Sequence, residues 1–306
     1  MQMNSQKKLL FVVNPHAGKA AIKAHLLPIV DNFVAAGYWV NIHTSQRSGD
    51  ITEYVKAYGE DCDIVVCSGG DGTVNEAING IMSCARKPVL GYIPAGTTND
   101  FASGFRLPKN MVEASKVVVS GVPTYFDVGR FGQRYFAYVA AFGAFTDVTY
   151  QTSQDYKNIF GKLAYVMEGA ARLPTLGFNR VRMEYDDGVI EDDILVGIVT
   201  NSSYVAGLPI GRMVDSTMND GLMEVFLIKN PSNILEVAPI INSFLQGEVD
   251  RRHIHMVRTK KLRILTDKHI SWALDGEYGG YHKDARIENL YCALRLMVPA
   301  EAIQGD

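Results

Sequence analysis

The chain of 306 residues is 47% hydrophobic and 21% charged, with 28 glycines and 11 prolines. That balance excludes a disordered, collagen-like or disulfide-framework protein, and the length predicts two domains at about 150 residues each. Thirty basic against 33 acidic residues leave a net charge of −3, without the basic excess of a nucleic-acid binder.

Targeting signals are quiet. Leu9–Val13 is too short for a signal-peptide core. The longest charge-free window, Ile194–Gly211, is interrupted by Thr200-Asn201-Ser202-Ser203 and Pro209, so it cannot span a bilayer as an apolar helix. Cys62, Cys67, Cys84 and Cys292 form no C-x-x-C pair and read as thiols of a reduced cytosol.

In chain order, Leu9–Val13, Trp39–His43, Ile64–Cys67 and Val89–Ile93 are β-branched or aromatic runs bounded by turn residues. Between and after them Ala20–Ala36, Gly49–Ala57, Val74–Ser83 and Met111–Ser120 space their apolar residues as helices. Strand–helix alternation predicts a parallel α/β sheet, with ligands beyond the carboxyl ends of its strands. After Tyr125 the texture changes. Phe126–Phe131, Tyr135–Phe142, Val181–Tyr185, Ile194–Thr200, Met223–Ile228 and Leu262–Thr266 predict strands, with hairpin turns at Gly132-Gln133 and Asp187-Gly188. Helices are expected at Lys157–Leu173 and at Ile234–Leu245, the latter opened by Pro231-Ser232. The fold expected is α/β, a parallel-sheet nucleotide-binding domain (1–127) followed by a mostly antiparallel β domain (128–297), with the tail from about 298 to 306 packing back on the first.

Three strand-to-helix turns carry the chemistry: Asn14-Pro15-His16-Ala17-Gly18-Lys19, Ser68-Gly69-Gly70-Asp71-Gly72-Thr73, and Pro94-Ala95-Gly96-Thr97-Thr98-Asn99-Asp100. Small residues at such turns let the backbone approach a ligand, and the helix amides favour an anion. None matches G-x-x-x-x-G-K-[ST] or G-x-G-x-x-G. Asp71 would repel a phosphate by itself, but a bridging Mg²⁺ makes it useful. Three such turns in one half of the chain predict nucleotide binding.

Gly69–Glu76 resembles the GGDGT-x-N-E signature shared by diacylglycerol kinases, sphingosine kinases and NAD kinases. Pro94–Phe101 is similar to the P-x-G-T-x-N-D-F motif of the diacylglycerol kinase catalytic family, which NAD kinases lack. The opening Asn-Pro-x-x-Gly-Lys and Leu274-Asp275-Gly276-Glu277 also fit, and the likeness to soluble bacterial lipid kinases runs from about Leu9 to Pro299. It implies a Mg²⁺- and ATP-dependent enzyme that phosphorylates a lipid hydroxyl, most directly diacylglycerol to phosphatidic acid. Such an enzyme would be cytoplasmic and would dock transiently on the inner membrane face. A homodimer through an exposed strand of the second domain is a further implication by analogy.

The resemblance assigns Asn14, Pro15, His16, Ala17 and Gly18 to the nucleotide, with Thr44 nearby. Gly70, Asp71, Gly72, Thr73, Val74, Asn75 and Glu76 would hold phosphates, and Thr97 would contact them. Asp71, with Asp100 and Asp127 through water, would form the environment of the catalytic Mg²⁺; a domain-boundary turn is the other reading of Asp127. Asp275 and Glu277 are the candidate catalytic pair. Two apart in an extended segment, they would face the same way, with Glu277 as proton acceptor and Asp275 orienting the hydroxyl or holding metal. A plain Asp-Gly hairpin turn is the structural alternative. A second Mg²⁺ is implied at Asp220 with main-chain oxygens of Thr217 and Leu222, against a tight turn without metal.

Weaker features are His253 and His255, which alternate along a possible solvated strand, the Lys/Arg-rich stretch from Arg251 to Lys268, and Lys19 and Lys162 as interfacial contacts. An NAD kinase-like enzyme and a catalytically silent nucleotide-binding regulator are the competing functions.

Overall fold

The structure, a computed structural model, describes residues 6–18, 20–97, 99–143, 177–202, 204–205, 208–209, 218–232, 236, 239–240, 246 and 248–302. The chain divides into two compact units. One ends at Phe126 and takes in the chain again from Cys292; the other is Asp127–Tyr291.

The first unit alternates β1 (Lys7–Val13), α1 (Ile22–Ala35), β2 (Tyr38–Thr44), α2 (Asp50–Tyr58), β3 (Ile64–Gly69), α3 (Asp71–Met82) and β4 (Val89–Pro94), then adds α4 (Asp100–Gly104) and α5 (Met111–Ser120). The strands lie in the order β2-β1-β3-β4, and each neighbouring pair is parallel. Leu9–Val13 and all of β3 are buried, as unbroken apolar runs must be when both faces of a parallel sheet are covered. Phe11 meets Phe33 of α1 edge to face, with ring centroids 5.5 Å apart. Ile22 and Ile29 of α1 and Ala114 and Val118 of α5 complete that core. Asn110 starts α5 by accepting from the Val112 and Glu113 amides at 3.0 and 3.1 Å, which satisfies two otherwise orphaned donors.

The second unit is antiparallel. β5 (Val122–Phe131) enters it at Asp127 and is followed by β6 (Arg134–Phe136), β7 (Val139–Gly143), β8 (Asn179–Tyr185), β9 (Gly188–Thr200), β10 (Tyr204–Val205), β11 (Leu208–Pro209), β12 (Met223–Lys229), β13 (Ile254–Thr259), β14 (Lys261–Leu274) and β15 (Glu277–Val298). β12 lies between β9 and β13, β7 between β9 and β14, and β14 folds back on β15. Trp272 is the centre of this core, its ring 4.9 Å from Phe131 and 4.7 Å from Phe142. The last residues of β15 return to the first unit, where Leu296 pairs in parallel with Leu90 of β4.

Four expectations need correction. The strand expected over Tyr135–Phe142 is broken into β6 and β7, because the Ala137, Tyr138 and Val139 amides are spent on the Asp275 carboxylate. Helix α3 begins at Asp71, so most of the glycine-rich motif is helix rather than loop. The β8–β9 turn is Asp186-Asp187, since Gly188 already pairs with Tyr185. β15 was not anticipated: its 22 residues alternate exposed and buried positions around Gly279-Gly280, without the apolar run that marks a buried strand. The Lys157–Leu173 helix lies outside the described residues, as does most of Ile234–Leu245. Among the described residues no helix is long and apolar enough to cross a membrane.

Two measurements check this packing. A Cβ at Gly80 would sit 2.6 Å from the Val55 Cβ and 3.0 Å from the Thr52 carbonyl oxygen, so α2 and α3 approach only across a bare glycine. Gly80→Ala should cost about 1–3 kcal/mol by overpacking, read as a lower urea midpoint at unchanged m-value. The Asp186 carboxylate accepts from the Lys260 and Lys261 amides and the Thr259 hydroxyl. Burial pushes this carboxyl up, but those donors and the Lys260 charge outweigh it and hold it below the ordinary Asp value. A depressed carboxyl stabilises the fold above its unfolded-state range and loses that contribution as pH falls. The Tm gap between wild type and Asp186→Asn should therefore narrow as pH drops below about 4.

Candidate active site

The three turns meet at the carboxyl ends of β1, β3 and β4. The Asn14 amide donates to the Ser68 carbonyl at 2.9 Å, and the Ala95 amide to the Gly69 carbonyl at 2.7 Å. The Asn14 side chain reaches Thr73 Oγ1 at 3.4 Å. Glycine is required at the crossings: a Cβ on Gly18, which has φ +57°, would sit 2.3 Å from the Ala95 carbonyl oxygen, and one on Gly96 2.6 Å from the Gly70 Cα. The first turn is held by its own Asn14, whose Oδ1 accepts from the His16 amide at 3.0 Å.

Helix α3 starts from Gly70, which supplies no side-chain cap, and the positive end of a helix favours an anion. Asp71 opens the helix, and its Oδ1 accepts from the Phe101 amide at 3.3 Å; Asp71 therefore lies beside Asp100, which is buried. Asn99 organises the third turn. Its backbone is left-handed at φ +53°, its Oδ1 accepts from the Gly96 amide at 2.9 Å, and its Nδ2 donates to the Gly96 carbonyl at 2.9 Å. The Tyr92 hydroxyl beneath bonds both the Gly69 carbonyl and Asn99 Oδ1, at 3.1 and 3.2 Å. Burial, reinforced by the nearby Asp71 charge, pushes that phenol well above its ordinary value, so it acts as a neutral donor.

Other expected nucleotide residues are spread around this junction. Thr73, Val74 and Asn75 are buried inside α3, while Thr97, His16 and Thr44 are exposed. Glu76 turns away: its carboxylate accepts from the Gly49 and Ile51 amides at 2.8 and 3.1 Å and so caps α2.

The second unit holds the acid hairpin. Asp275 and Gly276 are the two residues of the β14–β15 turn, with φ +48° and +83°, the two left-handed positions of a type I′ turn. The expectation that Asp275 and Glu277 share a face of an extended segment is thus wrong. Asp275 is buried, and its carboxylate accepts from the Ala137, Tyr138 and Val139 amides at 2.5, 3.0 and 2.9 Å. Glu277, the first residue of β15, is exposed.

Asp127 is a buried residue inside β5 rather than in a turn. Its amide donates to the Met218 carbonyl, and its Oδ2 accepts from the Gly221 amide at 2.7 Å and Asn289 Nδ2 at 3.2 Å. The Asp220 carboxylate is held by Arg258 Nη2 at 2.5 Å and the Leu222 amide at 2.9 Å. The Leu222 carbonyl accepts from Asn289 at 2.9 Å, and Thr217 lies outside the described residues. Arg258 Nε also donates to Glu224 Oε1 at 3.2 Å; burial pushes this carboxyl up to about 7 against the pull of Arg258. The second-domain metal does not fit the described part of this arrangement, because the Asp220 carboxylate and the Leu222 carbonyl are already engaged by protein donors. His255, read from sequence as solvated, pairs with Asp192 at 2.8 Å.

Comparison with known proteins decides the family. The diacylglycerol kinase catalytic domain profile matches residues 8–131, and the YegS C-terminal NAD kinase beta sandwich-like domain profile matches 140–298. The chain is 32% identical to a diacylglycerol kinase of Bacillus subtilis over 96% of this chain and 97% of that protein. It is also 32% identical to one of Staphylococcus carnosus over 98% and 100%. A crystal structure of a Bacillus anthracis diacylglycerol kinase shares the fold, with TM-score 0.76, 24% identity and coverage of 97% and 98%. Another from that organism reaches TM-score 0.81 at 27% identity, covering 95% and 97%.

The chain belongs to the diacylglycerol kinase family. It is a lipid kinase. Within this lipid kinase, sequence reasoning passed over Tyr92 and used Asn99 only as part of a motif, although together they hold the third turn. The signal for Asn99 was present, since asparagine is a common non-glycine occupant of left-handed backbone. Asn99→Ala should destabilise the first unit by about 2 kcal/mol, from lost hydrogen bonds and a strained φ. Asn99→Gly, which relieves the strain alone, should recover part of that in urea denaturation.

Proposed function

We propose that the protein transfers the γ-phosphate of ATP to the hydroxyl of a membrane lipid, diacylglycerol first among them, yielding phosphatidic acid. The observation that carries this reading is the junction of three strand-to-helix turns, with Asp71 at the uncapped start of α3. Phosphoryl transfer needs positioning and charge neutralisation more than covalent chemistry. The Asn14–Gly18 and Gly70–Thr73 segments would surround the phosphates, with Thr97 at the rim; the Asn14, His16, Ala17 and Thr73 amides are already bonded within the protein. Asp71 and Asp100 supply hard oxygen donors, and Mg²⁺ is characteristically held by one or two carboxylates together with substrate phosphates. Bound there, the ion would neutralise developing phosphate charge.

A lipid hydroxyl is a weak nucleophile at neutral pH and loses its proton late in transfer, to a carboxylate. Exposed Glu277 suits that role. Asp275 does not, because its carboxylate is committed to three amides; it is a positioning residue that sets the turn from which Glu277 projects. Diacylglycerol resides in bilayers, so an enzyme of this kind would work at the inner membrane surface.

Label transfer from γ-labelled ATP with Mg²⁺ to a panel of lipids in anionic micelles tests the reading. Asp71→Ala and Glu277→Gln should each lose about 10²-fold or more in kcat, Glu277→Gln at unchanged Tm. Asp275→Asn should lower Tm as well as activity, because its amide NH₂ cannot accept from the 137–139 backbone. Label on NAD instead of any lipid would replace the reading with an NAD kinase, and nucleotide binding without transfer would indicate a silent regulator.

A further inference from the structure

A second-domain cation was expected on the Met218–Leu222 turn, yet a positive charge is already built into it. β12 and β13 run antiparallel with Glu224 directly opposite Arg258. That register aims the guanidinium along β12 toward the turn. Its Nε donates to Glu224 and its Nη2 to Asp220, so one planar group bridges two carboxylates. Glu224 is only 2% exposed, and a buried carboxylate persists only when it is paired. Arg258 therefore cannot turn away without stranding it.

The other expected oxygens among the described residues are engaged as well. Asp220 Oδ1 accepts from the Leu222 amide, and the Leu222 carbonyl accepts from Asn289, which also donates to Asp127. Mg²⁺ requires a nearly ideal octahedron of oxygens. Here it would have to displace a guanidinium that is charged at every working pH from the same carboxylate oxygen.

We propose that Arg258 is the resident cation of this turn, and that the second unit folds around it without a divalent metal. The inference is independent of the activity proposed above, and none of its readouts is turnover.

The full chain, without ATP, is melted in EDTA and across a MgCl₂ series, beside Asp220→Asn, Arg258→Gln and the double variant. Ligand binding to the native state alone raises Tm with concentration. Wild type and Asp220→Asn should respond to Mg²⁺ identically, to within about 1 °C, since any metal elsewhere is common to both. Arg258→Gln should melt lower in EDTA and regain several degrees as Mg²⁺ is added, a gain absent from the double variant. A Mg²⁺ gain in wild type that Asp220→Asn lacks overturns the proposal, as does an Arg258→Gln protein with no gain of its own. Should Arg258→Gln not fold, Mn²⁺ titration followed by electron paramagnetic resonance decides between wild type and Asp220→Asn. Equal numbers of bound ions support the proposal, and one additional ion on wild type refutes it.

Discussion

A buried carboxylate is tolerated only when hydrogen bonds replace the water it has lost. Asp275 obtains three, from consecutive backbone amides at positions 137–139. The consequences run in both directions along the chain. Upstream, a stretch that would otherwise read as one strand gives up its ladder donors and divides into β6 and β7. Downstream, Asp275 is locked at positive φ in a two-residue turn, which fixes the register in which β14 meets β15 and places Glu277 at the head of the latter. A residue that reads in the sequence as half of a catalytic pair is an anchor of the turn from which β15 starts.

The first unit obeys a parallel logic with amides instead of a carboxylate. The first and third of its turns each lend donors to the second, and glycines stand where a methyl group would collide with a neighbouring carbonyl or Cα. The result is a group of closely spaced backbone segments and two acids that requires no large side chain, an arrangement consistent with the polyanion site proposed above. Neutral Tyr92 supports it from below.

Charge is treated differently in the two units. At the start of α3, Asp71 and Asp100 stand where the helix has no side-chain cap, and under the proposed function a metal and phosphates would supply the countercharge. On the Met218–Leu222 turn they are satisfied internally, by Arg258, Asn289 and backbone N–H groups. Similar acid-rich turns can thus serve opposite ends, depending on whether the protein supplies the countercharge.

What the sequence determined by itself was mostly local. Apolar period and turn residues located β1 to β4 and their helices, because both signals act within a few residues. The motifs around Gly70, Gly96 and Gly276 carried the family, because a phosphate-binding turn needs its glycines at set positions. Tertiary structure decided the rest. Nothing adjacent to Asp275 reveals that its partners lie near residue 138, nothing adjacent to Glu76 that it caps α2, and nothing adjacent to Asp220 that Arg258 will arrive from the strand opposite. Each of those outcomes depends on pairing across long stretches of chain, and a carboxylate takes its role from the donors that folding brings to it.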